Sequence, residues 1–147
     1  MAAQRHILTC FQALRSGNPN DIMRAEAEMK RLSNQEGYCV ALATIFGDRK
    51  ADFAFRQLAG VTLKNQIKNR WDRSAKHFSG KEITEAEKCR IRKGLPSLLD
   101  EPIQLLRTAA AMSIAAIGEF DFPEKWPGLL KLLLKGLHKR DKPNLVQ

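Results

Sequence analysis

Nucleophiles, paired carboxylates and metal ligands are the residues that would make this chain an enzyme, and their spacing argues against one. Glu119, Asp121 and Glu124 lie close enough along the chain to act as general acid and base. Helix capping explains them more simply, because negative charge is favoured where a helix begins. His6, His77 and His138 are dispersed, with no cysteine or carboxylate at zinc-ligand spacing. Cys10, Cys39 and Cys89 form no Cys-x-x-Cys and read as packed thiols. The motifs G-x-x-x-x-G-K-[ST], H-E-x-x-H and G-x-S-x-G are missing. These patterns predict a binding protein, not an enzyme, with no metal and no cofactor.

The strongest chemical feature is charge. Between Lys64 and Lys93 stand ten basic residues (Lys64, Lys68, Arg70, Arg73, Lys76, Lys81, Lys88, Arg90, Arg92 and Lys93). Only Asp72, Glu82, Glu85 and Glu87 oppose them, so the stretch carries +6 of the chain's +9. A solvated helix end and loop would account for such a run. An acidic partner would also be drawn to it, and basic cargo repelled. Nucleic-acid binding is a competing reading, although Phe78 alone in the basic loop makes no stacking platform. An all-helical scaffold is a third.

The elements that position these residues are helices. The 147 residues are 44% apolar and 28% charged, which suits one folded domain with its own core. Aromatics make up only 7%, and Ala, Leu, Lys, Arg and Glu abound, as helices prefer. The longest nearly apolar run, Ala109 to Ile117, is interrupted by Ser113 and is too short to cross a bilayer. No signal-peptide pattern opens the chain, and the cysteine count is odd. A reducing compartment, cytosol or nucleus, is expected.

Apolar spacing of three and four predicts seven helices and no strand. The first covers about Ala3 to Arg15. Asn18 caps a second that starts at Pro19 and ends near Leu32. Ser33 and Glu36 form a capping box for a third, stopped by Gly47. Asp48 caps a fourth from Lys50 to about Trp71, and a loop follows over 72–83. Thr84 and Glu87 form the capping box of a fifth helix, which Pro96 bends near its end. Asp100-Glu101-Pro102 starts the sixth, Asp121 with Glu124 caps a short turn at Pro123, and Pro127 leads into a leucine-rich seventh.

Alternate helices share a signature. Arg24-x-x-Ala27, Arg56-x-x-Ala59 and Arg107-x-x-Ala110 sit near the starts of helices two, four and six. Leu63 and Ile114 follow the Ala by four residues in two cases, so a small residue and a larger one alternate along the contact. Paired helices at a mean period of about 40 residues fit HEAT-type repeats. From pattern alone an open solenoid and a closed bundle remain equally available.

The segment Arg56-Gln57-Leu58-Ala59-Gly60-Val61-Thr62-Leu63-Lys64-Asn65-Gln66-Ile67-Lys68-Asn69-Arg70-Trp71 resembles the N-terminal signature of the importin-β (karyopherin-β) superfamily. Arg107 followed by Ile114, Ile117, Asp121-Phe122-Pro123 and Trp126-Pro127-Gly128-Leu129-Leu130 resembles its third-repeat segment. The Phe78 loop and Arg92-Lys93-Gly94-Leu95-Pro96 are similar to the histone-importing, importin-nine type. The resemblance implies an all-α, right-handed solenoid of HEAT repeats, here about three and a half helix pairs over residues 1–147. Helices two, four and six would line its inner wall. It also implies a receptor that shuttles between cytoplasm and nucleus and carries protein cargo through nuclear pores.

By the same resemblance, the N-terminal repeats bind the GTP form of the small GTPase Ran, with no membrane partner. Arg24 and Glu28, Lys64, Asn65 and Lys68, and Thr108 and Met112 are its candidate contacts, placed by helical spacing on the inner faces. Arg56, Ala59, Leu63, Ile67, Trp71, Arg107, Asp121, Pro123, Trp126 and Pro127 are expected to be structural. Full-length members are several times longer and acidic overall, so a fragment is expected. Histones, if carried, and nucleoporins would then dock mainly on repeats beyond it. Its uncovered leucine face would favour self-association.

Overall fold

The computed structural model describes residues 2–141, with side chains described for 3–135, so Leu137 and His138 lie outside the described side chains. Seven α-helices and one 3-10 helix are present, with no strand among the described residues. They are α1 Ala2–Leu14, α2 Pro19–Leu32, α3 Tyr38–Gly47, α4 Phe53–Arg70, α5 Glu85–Gly94, the 3-10 helix Leu95–Asp100, α6 Gln104–Asp121 and α7 Leu129–Asp141.

Two helix starts follow the expected capping chemistry. The Asn18 carboxamide oxygen accepts the N–H groups of Asn20 and Asp21 at 2.9 and 3.3 Å, with Pro19 in the first turn. The Thr84 hydroxyl accepts the Glu87 N–H at 3.3 Å.

Other boundaries move for identifiable reasons. Ser33 does not open α3; it closes α2, and its hydroxyl donates to the Lys30 carbonyl at 2.7 Å. The chain then turns through Gly37 at φ 94°, a left-handed conformation that glycine adopts without strain. The Glu87 carboxylate instead accepts the Val40 N–H at 3.2 Å, so α5 caps the start of α3 from the next helix pair. Asp48 caps a turn by accepting the Lys50 N–H, and α4 begins only at Phe53, after Asp52. Beyond Gly94 the helix tightens into 3-10 geometry around Pro96. The expected sixth-helix start at 100–102 shifts to Gln104, because Glu101 is turned inward and only 2% exposed.

The helices pack α1 on α2, α3 on α4, and the 3-10 helix on α6. Between pairs, α1 lies on α3, α3 on α5 and α4 on α6, while α7 meets the 3-10 helix. Extensive packing therefore joins members of one pair or neighbours in a stack, the arrangement of HEAT repeats and not of a bundle around a shared centre. One continuous core runs through it, from Ile7 and Phe11 through Leu42, Phe46, Leu63 and Ile67 to Leu106, Ile114 and Ile117. Close approach of α3 and α4 depends on Gly60, where an added Cβ would stand 2.7 Å from the Phe46 ring.

The Arg-x-x-Ala signature divides. Arg56, Ala59 and Leu63 are buried, as are Ala110 and Ile114, with Arg107 half-buried. On α2 the match is a coincidence: Arg24 and Ala27 are exposed, and the buried small residue is Ala25.

Where the motif is real, its arginines converge. The Arg56 guanidinium donates to both Glu101 carboxylate oxygens, at 3.3 and 2.7 Å, and its Nε donates to the Phe46 carbonyl at 3.0 Å. Arg107 donates to the backbone carbonyl of the same Glu101 at 2.8 Å. Arg56 holds the Glu101 carboxyl below the ordinary carboxylate range, against the opposing effect of burial. A depressed carboxylate stabilises the fold above its unfolded pKa, and that contribution is lost as pH falls through the folded value. Stability should therefore drop steeply as pH falls below about 4.3. In Glu101→Gln, thermal melts should start several degrees lower at neutral pH, consistent with a loss of about 3 kcal/mol, and show a shallower acid limb. A variant with the parent's full acid limb would remove Glu101 as the cause.

Candidate partner-binding wall

α4 turns Arg56, Ala59, Gly60, Leu63, Ile67 and Arg70 into the core, which leaves Gln57, Val61, Asn65 and Lys68 outward. α6 buries Leu106, Ala110, Ser113, Ile114 and Ile117 and presents Leu105, Thr108 and Met112. Because α4 packs on α6, these outward rows belong to adjacent helices of one layer. Lys64 is half-buried at the edge of the α4 row, and neither it nor Lys68 has an ion pair among the described residues. Met112 is 46% exposed, Val61 44% and Leu105 61%. Val61 and Leu105 were missed by the sequence reading, although each is an apolar residue out of phase with its helix's buried stripe. Together the rows set exposed apolar side chains beside amide and ammonium groups.

Arg24 and Glu28 stand elsewhere. They line a groove between α1 and α2 with His6, Thr9, Cys10 and Asp21. Arg24 pairs with Asp21 at 3.0 Å, and Glu28 lies beside Arg31 and 3.4 Å from His6. The α2 residues that share a groove with α4, through Thr62 and Gln66, are Glu26, Met29, Lys30 and Ser33.

The remaining motif residues form a joint behind the wall. Trp71 is fully buried, and its Nε1–H donates to the Asp121 carboxylate at 3.0 Å. Arg92 donates to the same carboxylate oxygen at 2.7 Å and lies 5.8 Å from the Trp71 ring centroid. The expected capping role of the Asp121 side chain is thus corrected: it is 3% exposed and ties the end of α6 to Trp71 at the end of α4 and to Arg92 on α5, since a buried carboxylate must find donors. Only its backbone carbonyl holds the turn, accepting the Lys125 and Trp126 N–H groups at 2.7 and 2.9 Å. Glu119 and Glu124 are exposed, as are Pro123 and Pro127, and Trp126 is half-buried.

The basic stretch does not form one patch. Arg70 is buried and donates to the carbonyls of Lys81 and Ser33 and to Gln66, which pins the segment between α4 and α5. Arg73 and Lys88 pair with Glu82, and Arg92 with Glu85 and Asp121. Lys64 and Lys68 stand on α4, Lys76 and Lys81 in the segment beyond it, and Arg90 and Lys93 on α5 in the other layer. Cys10 and Cys39 are buried and Cys89 half-buried; burial pushes the Cys39 thiol up to about 12. No metal-holding cluster occurs among the described residues.

A stack of paired helices in two layers defines a HEAT-repeat fold. Residues 25–101 match the family described as the importin-beta N-terminal domain, and the chain belongs to that family. Importin-11 of Homo sapiens is 32% identical over 80% of this chain and 12% of its own length. Importin-9 of Drosophila melanogaster is 29% identical over 92% and 14%. Exportin-2 of Xenopus laevis is 28% identical over 84% and 13%, so likeness extends to receptors named for either direction. In structure, the exportin Cse1 in its cargo-free, cytoplasmic state aligns with a TM-score of 0.69 at 21% identity, covering 88% of this chain and 13% of that one. The chain thus spans about one eighth of the length of these relatives.

The joint gives a direct test. Trp71→Phe keeps the ring but removes the indole donor, and leaves the buried Asp121 one partner short. Urea titration should show a loss of about 1–3 kcal/mol. A double-mutant cycle with Asp121→Asn should show coupling above about 0.5 kcal/mol; additive effects would refute a shared bond.

Proposed function

We propose that this chain is the Ran-GTP-binding N-terminal part of a nuclear transport receptor that carries protein cargo through nuclear pores and moves between cytoplasm and nucleus. The family membership supports the receptor class. The observation that carries the binding reading is the outward row of α4 beside that of α6, where Lys64 and Lys68 have no ion pair among the described residues and Val61, Leu105 and Met112 are exposed. Ammonium and amide donors on such a row fit the carbonyls and carboxylates of a GTPase switch surface, and the apolar side chains supply the desolvated centre.

Lys64, Asn65, Lys68, Thr108 and Met112 are the contacts in this reading. Arg24 and Glu28 contribute less, because their partners lie within the α1–α2 hairpin. Histone cargo and nucleoporins belong to parts of a longer receptor.

Calorimetry with Ran in its GTP and GDP forms tests the reading. A preference for the GTP form is expected, and Lys64→Glu with Asn65→Ala should weaken it at least about tenfold. Arg24→Glu should change it less than about threefold. Equal binding of both Ran forms, or an unaltered affinity in the Lys64/Asn65 variant, would overturn it. Stronger capture of an RNA oligonucleotide, lost steeply with salt, would favour a nucleic-acid-binding protein instead.

A further inference from the structure

The layer opposite the wall holds a further groove. Between α3 and α5 the surface opens into a groove of about 280 Å³. Ile91, Leu95 and Leu98 form its buried apolar side, and Val40 and Ala43 face them from α3. This volume sits at the low end for ligand sites and suits one or two side chains better than a cofactor.

We propose that this groove docks a short acidic peptide segment of another protein, with an apolar side chain in the groove and carboxylates on Arg90 and Lys93. Charge carries the argument. Arg90 lines the groove and has no ion pair among the described residues, and Lys93, exposed on the same helix, has none among them. On the same α5, Lys88 and Arg92 are both neutralised by carboxylates. No acidic residue lines the groove, and the Thr44 hydroxyl is engaged with the Val40 carbonyl. The site therefore offers apolar contact together with an unanswered guanidinium, which binds carboxylate through paired N–H donors. Nucleic acid is disfavoured, because no aromatic lines the groove for a base to stack on.

Two lining glycines make the proposal testable without harming the fold. A Cβ at Gly47 or Gly94 would meet nothing within 4 Å, and neither has positive φ. Replacing Gly94 by a larger residue fills the groove and removes a glycine from a helix end, which should leave stability equal or higher.

The probe is a labelled peptide of about ten residues with a Leu-Phe pair among Asp and Glu, read by fluorescence anisotropy on the intact chain. A control peptide carries Asn and Gln in place of the acids. The acidic peptide should bind at least about tenfold more tightly than the control. Arg90→Glu with Lys93→Glu should weaken it by a similar factor, and so should Gly94→Leu, whose melting midpoint should not fall below the parent's. Comparable binding of both peptides would replace the proposal with an uncharged apolar ligand. Undiminished binding to Gly94→Leu would place the peptide elsewhere, and no binding at about 1 mM would leave the groove without this partner. A dimer of the chain in sedimentation that the peptide dissociates would point to a second copy as the occupant and overturn the proposal.

Discussion

The ion pair between Arg56 and Glu101 is the constraint on which the stacking depends. Both side chains are about 98% buried, so two charges have been taken out of water at a cost that attraction alone does not reliably offset. What makes the arrangement tenable is saturation. Arg56 meets the carboxylate with two nitrogens and a carbonyl with the third, and Glu101 also accepts the Ile103 N–H. With Arg107 on the Glu101 carbonyl, the end of α3, the start of α4 and the start of α6 are fixed at one point. The relation between the α4 and α6 rows follows from that point.

A second tie fixes the far ends of the same two helices. Trp71 closes α4, Asp121 closes α6, and one hydrogen bond joins them. Two helices pinned near both ends cannot easily slide or rotate against each other, so Lys64 and Asn65 keep their relation to Thr108 and Met112. A surface held this way loses little freedom on binding, which favours affinity. The two sequence motifs, fifty residues apart, are thus the two halves of one contact.

Helix existence was legible because periodicity reports burial, and burial sets which face turns inward; periodicity left solenoid and bundle open, and the HEAT architecture was legible only through the resemblance of the 56–71 and 107–130 segments to a known family. Asn18 and Thr84 were legible because local capping needs only neighbours in sequence. Ser33 with Glu36 misled for the same reason: a spacing rule sees a box, whereas the N–H of Val40 is capped by Glu87 from 47 residues away. Asp121 misled similarly, since its partners Trp71 and Arg92 are brought to it only by the fold. On α4 and α6, helical spacing placed Asn65, Lys68, Thr108 and Met112 outward and Lys64 at the edge, and passed over the exposed Val61 and Leu105. It failed on α2, where Arg24 and Ala27 mimic a signature whose buried position belongs to Ala25.

The distribution of charge follows from the same ties. Asp121, Glu82 and Glu85 lie where α4, α5 and α6 converge, and there they neutralise Arg92, Lys88 and Arg73. Carboxylates are few, sixteen against twenty-five lysines and arginines, and on both outer surfaces some cations have no ion pair among the described residues. A net positive chain repels itself and gains most from a partner that supplies the missing sign. Lys64 with Lys68 and Arg90 with Lys93 stand on different layers, so the two groups of cations face different directions.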